Sequence, residues 1–324
     1  MNNELITHRQ ASSILVMFIF GSTLVFGVGT EVGQDMWISL LLTIAMILPV
    51  SLMYARLVRL YPGKTLFEML EVLFGKIAGK ILTGVFVWYA IHLGASVLRN
   101  FTDFFQVTSM PETPQLPIAV LLLAVVVYLV KCGMETYGKW ALVTFSIICI
   151  MMLFTLLLSI GSIKWSNLLP VLDNDWGSLL RASYQQFTLP FGETVLFLGV
   201  AGSLRREDSP YKSYWYGILC AGLISMIILI RNILVLGPSM MEAVSFPSFV
   251  TGRIINVSDS FARIESVICL PASQRYPFAR LWRQREWPAC SVYKTTRRSW
   301  CLSAFCSLPS VSSPITASRI YLTL

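Results

Sequence analysis

Two apolar stretches of this chain are interrupted by glycine near their middle, and the interruptions have the chemistry of a binding site for a small solute. A break in a membrane helix frees backbone groups, which are tolerated only where they are buried in protein or line a wet cavity. Freed amide hydrogens can bind a carboxylate without any charged side chain. The residues predicted to form this site are Phe26, Gly27, Val28 and Gly29 in the first stretch and Phe191, Gly192 and Glu193 in the sixth.

Three ionisable side chains within the apolar stretches are further candidates for chemistry: Glu193, His92 and Arg231. A charged group near the centre of a bilayer costs about 3 kcal/mol or more, so it usually faces a cavity or a partner. Glu193 either accepts the ammonium of an amino acid or carries a coupling proton, or it caps the amides that the break frees; both interpretations stay open. His92 is a second candidate for an ion or proton relay, although for His92 and Arg231 we favour a packed or snorkelling side chain.

Composition places these residues in a membrane protein made of helices. Of the 324 residues, 55% are hydrophobic and 13% are charged, and the mean hydropathy is +0.67. About 20 apolar residues in a helix cross a hydrocarbon core. The stretches of suitable length and character are 13–33, 37–57, 81–98, 116–130, 140–160, 187–204 and 214–236. The sequence therefore predicts an all-α, polytopic membrane protein.

The loops between these spans predict how the spans are oriented. Lysine and arginine concentrate before span one and in alternate loops after it, which indicates a cytoplasmic N-terminus. Span one then enters the membrane from the cytoplasm and span six from outside. Paired broken helices in oppositely oriented halves are typical of transporters with a five-plus-five inverted repeat. Glycine also serves close helix packing, but its matching position in the two halves favours discontinuous helices 1 and 6.

A proline-glycine turn at Pro62 and Gly63 ends span two and introduces a short helix. Thr65 and Glu68 have the spacing of a capping box at the start of that helix. Glu68 and Glu71 share a polar face, and the apolar side chains on the opposite face are Leu66, Met69, Leu70 and Leu73. We predict a structural helix that lies at the cytoplasmic interface.

Several short motifs follow one another in a specific order. They are Ile6-Thr7-His8-Arg9-Gln10, Tyr61-Pro62-Gly63-Lys64-Thr65, Phe74-Gly75-Lys76, Gly79-Lys80, Pro190-Phe191-Gly192-Glu193, Phe246-Pro247-Ser248-Phe249, Arg253-Ile254-Ile255-Asn256, Phe261 and Arg263-Ile264-Glu265. Together they resemble the spore germination permeases, which are the B subunits of endospore germinant receptors and belong to the amino acid/polyamine/organocation transporter superfamily. The resemblance covers the chain from its N-terminus to about Val267.

This resemblance implies a ten-helix membrane protein that senses a small germinant, often an amino acid, in the spore inner membrane. It also implies an A-type membrane subunit and a C-type lipoprotein as partners. By similarity to the superfamily, the binding pocket lies between the breaks of spans one and six, with walls from spans three and eight.

The chain changes character after Val267. Residues 1–267 carry 17 Lys and Arg against 16 Asp and Glu, whereas residues 268–324 carry 8 against 1. The family pattern continues span eight through this point, but here the apolar periodicity ends. We predict a membrane domain at 1–267, with seven helices and the first half of an eighth, and a basic, disordered tail at 268–324 that results from a shifted reading frame. The alternatives are a lipid-binding tail and a cysteine-based metal or disulfide module.

Two functional hypotheses remain, together with the possibility of a non-functional truncated product. The first is a receptor subunit that changes conformation when a germinant binds, and the second is an amino acid or cation symporter. The sequence carries no HExxH, GxSxG or Walker motif. We therefore expect no catalytic activity, no cofactor, no metal site and no nucleic-acid partner.

Overall fold

Nine α-helices, joined by loops and short 3₁₀ or π-helical turns, make up the described part of the chain. The computed structural model describes residues 5–25, 29–205 and 207–254. Within these residues the one extended pairing is a bridge between Ile6 and Leu204. The helices are α1 (His8–Val25), α2 (Met36–Leu60), α3 (Leu66–Thr108), α4 (Gln115–Lys131), α5 (Met134–Ser159), α6 (Trp176–Gln186), α7 (Pro210–Leu236), α8 (Pro238–Ala243) and α9 (Pro247–Ile254). The predicted all-α class is confirmed.

Four helical segments among the described residues are long and apolar enough to cross a bilayer: Thr30–Leu60, Leu66–Thr108, Met134–Ser162 and Pro210–Leu236. Helix α4 is apolar but has 17 residues. The predicted span at 187–204 is a series of π and 3₁₀ turns. The polytopic membrane class is confirmed, and the inverted repeat stays a prediction. The predicted end of the membrane domain, at residue 267, and the predicted tail at 268–324 lie outside the described residues.

Helix α7 is the central helix of the bundle and packs closely against both α1 and α2. A Cβ atom on Gly217 would lie 2.9 Å from the Cβ of Leu15, and one on Gly222 would lie 2.7 Å from Cδ1 of Ile44. These distances leave no space for a side chain at either glycine. Small residues therefore let α7 approach α1 and α2 closely, and such close packing is the usual source of association energy between helices in lipid.

Large apolar side chains cover the outer faces of α3, α4 and α5. Ile77 is 82% exposed, Trp88 66%, Leu121 69% and Ile150 67%. Exposing apolar surface to water costs roughly 25 cal/mol per Å², and hydrocarbon removes that cost. These faces are therefore suited to contact with lipid or with other membrane helices.

Helix α3 begins with the predicted capping box. The backbone amide of Thr65 donates to Oε2 of Glu68 at 2.8 Å, and the amide of Glu68 donates to Oγ1 of Thr65 at 3.4 Å. Gly75, at φ 79° and ψ 172°, breaks the helical backbone and separates this first segment from the membrane span. On the predicted apolar face Leu66, Met69 and Leu70 are buried, whereas Leu73 is half exposed.

The segment before α1 is tied to the loop that precedes α7. The amide of Ile6 donates to the carbonyl of Ser203 at 2.9 Å, and the amide of Arg205 donates to the carbonyl of Ile6 at 3.1 Å. Asp208 then accepts hydrogen bonds from the backbone amide of His8 at 3.0 Å and, at 2.9 Å, from Nδ1 of the same residue. A carboxylate at this place stabilises the first turn of α1, whose amides lack partners within the helix.

Candidate functional site

The first irregular segment among the described residues begins at Gly29. Helix α1 ends at Val25, and Gly29, the next described residue, has a left-handed backbone, φ 79° and ψ 22°, before a 3₁₀ segment over Thr30–Asp35. This conformation costs an L-amino acid with a side chain about 1–2 kcal/mol, so glycine is favoured at this position. The predicted site residues Phe26, Gly27 and Val28 lie outside the described residues.

The second interruption follows α6. A π-helical turn over Phe187–Phe191 contains Leu189 at φ −129° and ψ 113°, which is not helical, and a 3₁₀ segment over Gly192–Gly199 comes next. Proline at 190 has no amide hydrogen to donate, which removes one helical hydrogen bond at this point. A Cβ on Gly192 would lie 3.0 Å from the carbonyl oxygen of Phe187. The backbone is thus irregular where the sequence places the break.

The side chain of Gln186 is one of the contacts between the two interruptions. A Cβ atom on Gly29 would lie 2.6 Å from Nε2 of Gln186, the last residue of α6. The same Nε2 donates to Oγ of Ser39 at 2.9 Å, and Oγ1 of Thr43 donates to Oε1 of Gln186 at 3.4 Å. Gln186 therefore links both breaks to α2 inside the protein.

A cavity of about 50 Å³ lies beside these interruptions. Its walls come from α1, α2, α7, α8 and α9 together with the second break, and Thr23, Gln186 and Phe191 are among the residues that line it. A water molecule needs about 10–15 Å³ of such volume, so the cavity holds a few water molecules and a larger solute requires side-chain movement. Irregular backbone and a cavity thus lie side by side in the described part of the chain; that the cavity is a solute site stays a prediction.

One wall of the cavity is the polar face of α7. Ser225, Ile228, Leu229 and Asn232 line it, with the spacing i, i+3, i+4 and i+7 that places residues on one face of a helix. Asn232 also donates from Nδ2 to Oγ of Ser248, the α9 residue on the same cavity, at 3.0 Å. This side of the cavity therefore carries most of its polar atoms.

Arg231 supports that wall from behind. Its Nε and Nη2 donate to Oδ1 of Asn232 at 3.2 and 2.9 Å, and its Nη1 donates to Oγ1 of Thr155 on α5 at 3.1 Å. The Arg231 side chain is 6% exposed. It is thus a packed, hydrogen-bonded residue rather than one that extends to the membrane surface.

The predicted site residues take different positions. Phe191 lines the cavity. Glu193 is fully buried in the next segment and is not among the lining residues. His92 lies on the exposed face of α3 with its ring stacked on Trp88, at a centroid distance of 5.7 Å. The structure therefore does not bring His92 to the cavity.

Sequence reasoning missed Ser225, Asn232 and Ser248. Asn232 follows Arg231 within an apolar span, and two adjacent polar residues in such a span could have indicated a buried polar site. No sequence pattern marked the two serines, because serine is common in membrane helices, where it bonds to the helix backbone. Within the described residues there is no group of three or more His, Cys, Asp or Glu side chains placed to hold a metal ion.

The fold defines the class as a polytopic helical membrane protein, with a small cavity beside two irregular segments of its described part. Comparison with known proteins narrows this class. The chain belongs to the spore germination protein family, whose sequence model matches residues 5–272.

Individual relatives support the same family. The chain is 28% identical to spore germination protein KB of Bacillus subtilis (strain 168) over 268 residues, which are 82% of this chain and 72% of that protein. It is 26% identical to the putative spore germination protein YfkT of the same organism, over 72% of this chain and 64% of that protein. It is 21% identical to spore germination protein XB of Bacillus anthracis, over 78% of this chain and 61% of that protein.

Proposed function

We propose that this chain is the membrane subunit of a spore germinant receptor and that it binds a small germinant, such as an amino acid, beside its two broken helices. The observation that carries the proposal is the cavity itself, which is lined by Thr23 at the end of α1 and by Pro190 and Phe191 in the second break. The relatives are spore germination proteins by name, which supports a role in germination. This function requires binding and a change of shape, without catalysis.

The site joins elements that belong to different parts of the chain. Contacts to the germinant come from the backbone at Phe26–Gly29 and Phe191–Glu193, with Glu193 buried directly behind the second break. A germinant that binds one arrangement of these segments more tightly than another shifts the protein toward that arrangement. Gly29 and Leu189 have non-helical backbone, and irregular backbone is where such a shift costs least.

The shift must pass to other proteins if it is to trigger germination. We propose an A-type membrane subunit and a C-type lipoprotein as those partners, in the spore inner membrane, with the N-terminus of this chain in the cytoplasm. The resemblance to the B subunits of germinant receptors supports this assembly. Exposed His92 stays outside the proposed germinant contacts.

Binding to the purified chain tests the proposal. The full-length chain is reconstituted in lipid nanodiscs, and binding of each of the twenty common L-amino acids is measured by equilibrium dialysis. We expect at least one to bind, and we expect Gly192→Leu to abolish its binding, because the carbonyl of Phe187 leaves no room for the new side chain. Gly84→Leu is the control, since a Cβ there meets nothing within 4 Å.

Two outcomes would contradict the proposal. Binding that is unchanged in Gly192→Leu would show that the second break is not the site. Uptake of the bound amino acid into liposomes, driven by a proton or sodium gradient, would favour a symporter over a receptor subunit. We expect binding without accumulation.

A further inference from the structure

Three buried donor groups on one wall of the cavity lack a hydrogen-bond acceptor in the described part of the chain. Oγ of Ser225 has no hydrogen-bond partner there, although the side chain is fully buried. Ser248 accepts from Asn232 and keeps its own hydroxyl hydrogen, and Nδ2 of Asn232 uses one of its two hydrogens on Ser248. A buried polar group without a partner costs about 1–3 kcal/mol.

The orientation of the Asn232 amide follows from its neighbour. A guanidinium group has five donors and no acceptor, so the Asn232 atom that faces Arg231 must be the oxygen. The two hydrogen bonds from Arg231 occupy this oxygen. The amide nitrogen is therefore the atom turned toward Ser248 and the cavity, and Asn232 acts there as a donor.

The other polar side chains that line the cavity are already engaged. Thr23 donates to the carbonyl of Ile19 at 3.1 Å, and Gln186 is bonded to Ser39 and Thr43. The remaining lining residues are apolar, among them Met36, Leu40 and Ile228. The lining is thus apolar on most sides. Hydrogen-bond donors without an acceptor lie on the side formed by α7 and α9.

We propose that Ser225, Asn232 and Ser248 form a carboxylate-recognition wall, held in its donor orientation by Arg231. A carboxylate offers two oxygens with about four acceptor positions, which matches three donors. The nearby guanidinium adds positive charge, and hydrogen bonds to an ionised acceptor are roughly twice as strong as neutral ones. This inference rests on the proposed function, because it assumes that a germinant enters the cavity. It assigns the carboxylate to α7 and α9, where the sequence alone assigned it to the amides of the broken helices.

Alkylation of a cysteine in the cavity tests this wall without any germinant. Ser225→Cys is introduced into the full-length chain with its seven native cysteines replaced by serine or alanine, and the protein is held in nanodiscs. Rates are measured with iodoacetate and iodoacetamide, which are similar in size and differ in charge. In both reactions the thiolate displaces iodide from the same carbon. Trp165→Cys, at a position that is 71% exposed, corrects for the intrinsic difference between the reagents.

We expect the ratio of the iodoacetate rate to the iodoacetamide rate to be about tenfold higher at Ser225→Cys than at Trp165→Cys. This is the effect of one hydrogen bond to a charged group. Adding Asn232→Asp, which replaces the donor by a negative acceptor of the same shape, should remove this preference. Ser248→Ala should reduce it and Arg231→Lys should weaken it, because lysine lacks the paired geometry that orients Asn232. Each variant is first shown to be monodisperse by size-exclusion chromatography.

An equal reagent preference at the two cysteines would overturn the proposal, as would a preference that survives both Asn232→Asp and Ser248→Ala. A Ser225→Cys thiol that reacts with neither reagent would also overturn it, because solutes would then not enter the cavity. Failure of amino acid binding would instead count against the proposed function, since this labelling requires no germinant.

Discussion

Gly29 lies against Gln186, so the segment that follows the first interrupted helix contacts the end of the second. The left-handed backbone of Gly29 leaves its α-carbon against the Gln186 amide, and a Cβ atom there would lie 2.6 Å from Nε2. The amide is itself bonded to Ser39 and Thr43 on α2. A movement of Gly29 toward α6 must therefore displace a side chain that is hydrogen-bonded to α2.

Replacement of Gly29 by alanine should destabilise the protein by about 1–2 kcal/mol, the cost of the left-handed conformation for an L-residue, and further through the clash with Gln186. Unfolding in mixed SDS and dodecylmaltoside micelles measures this change. Gly84→Ala, in the open space beside α3, should leave the stability unchanged or slightly higher, since alanine favours a helix. Equal stability of Gly29→Ala and the parent chain would contradict the contact.

Asp35 should hold the loop that follows α5. Its carboxylate, fully buried, accepts from the amide of Leu172 at 2.7 Å and from the amide and Nδ2 of Asn174 at 3.1 and 2.9 Å. We expect Asp35→Ala to raise hydrogen exchange at the Leu172 and Asn174 amides at least tenfold, because a hydrogen bond to a charged group contributes about 1.5–3 kcal/mol.

Asp173 supplies the matched control for that experiment. It lies in the same loop and is exposed, and its contact is a 3.5 Å hydrogen bond from Nε2 of Gln34. Asp173→Ala should change the exchange of the loop little, since exposed polar contacts contribute little. Similar exchange in the two variants would show that Asp35 does not organise the loop.

Thr65→Ala should destabilise the first segment of α3 by about 1 kcal/mol, the usual loss when a helix N-cap is removed. Glu68→Gln should be much milder, because glutamine also completes a capping box. Hydrogen exchange over residues 66–74 reports the effect locally. Glu71→Ala, on the exposed face of the same segment, should not raise the exchange, and a rise equal to that of Thr65→Ala would contradict the cap.

Asp208→Ala should free the segment before α1 from the loop before α7. Both the amide and the ring of His8 lose their acceptor in this variant, so exchange of the His8 amide should rise more than tenfold. The neighbouring Glu207 is exposed, and Glu207→Ala should leave that amide protected. Unchanged protection in Asp208→Ala would show that the pairing of Ile6 with Ser203 and Arg205 alone holds the segment.

Local features of this molecule could be read from the sequence because short-range chemistry decides them. Glycine and proline weaken a helix locally, so the sequence could indicate irregular backbone near Gly29 and Pro190, although Pro49 and Gly217 lie within continuous helices. The capping box at Thr65 depends on residues three positions apart. Length and hydropathy likewise determined the all-α membrane class.

The tertiary structure alone decided where the cavity lies and which side chains face it. Ser225 and Asn232 come from one helix and Ser248 from another, and they form a wall only because α7 packs beside α9. A polar side chain in a membrane helix can bond to its own helix backbone, contact a neighbouring helix or line a cavity. The packing angle between the helices determines which of these occurs. That angle depends on contacts between residues far apart in the chain, such as Gly217 with Leu15, which no local pattern records.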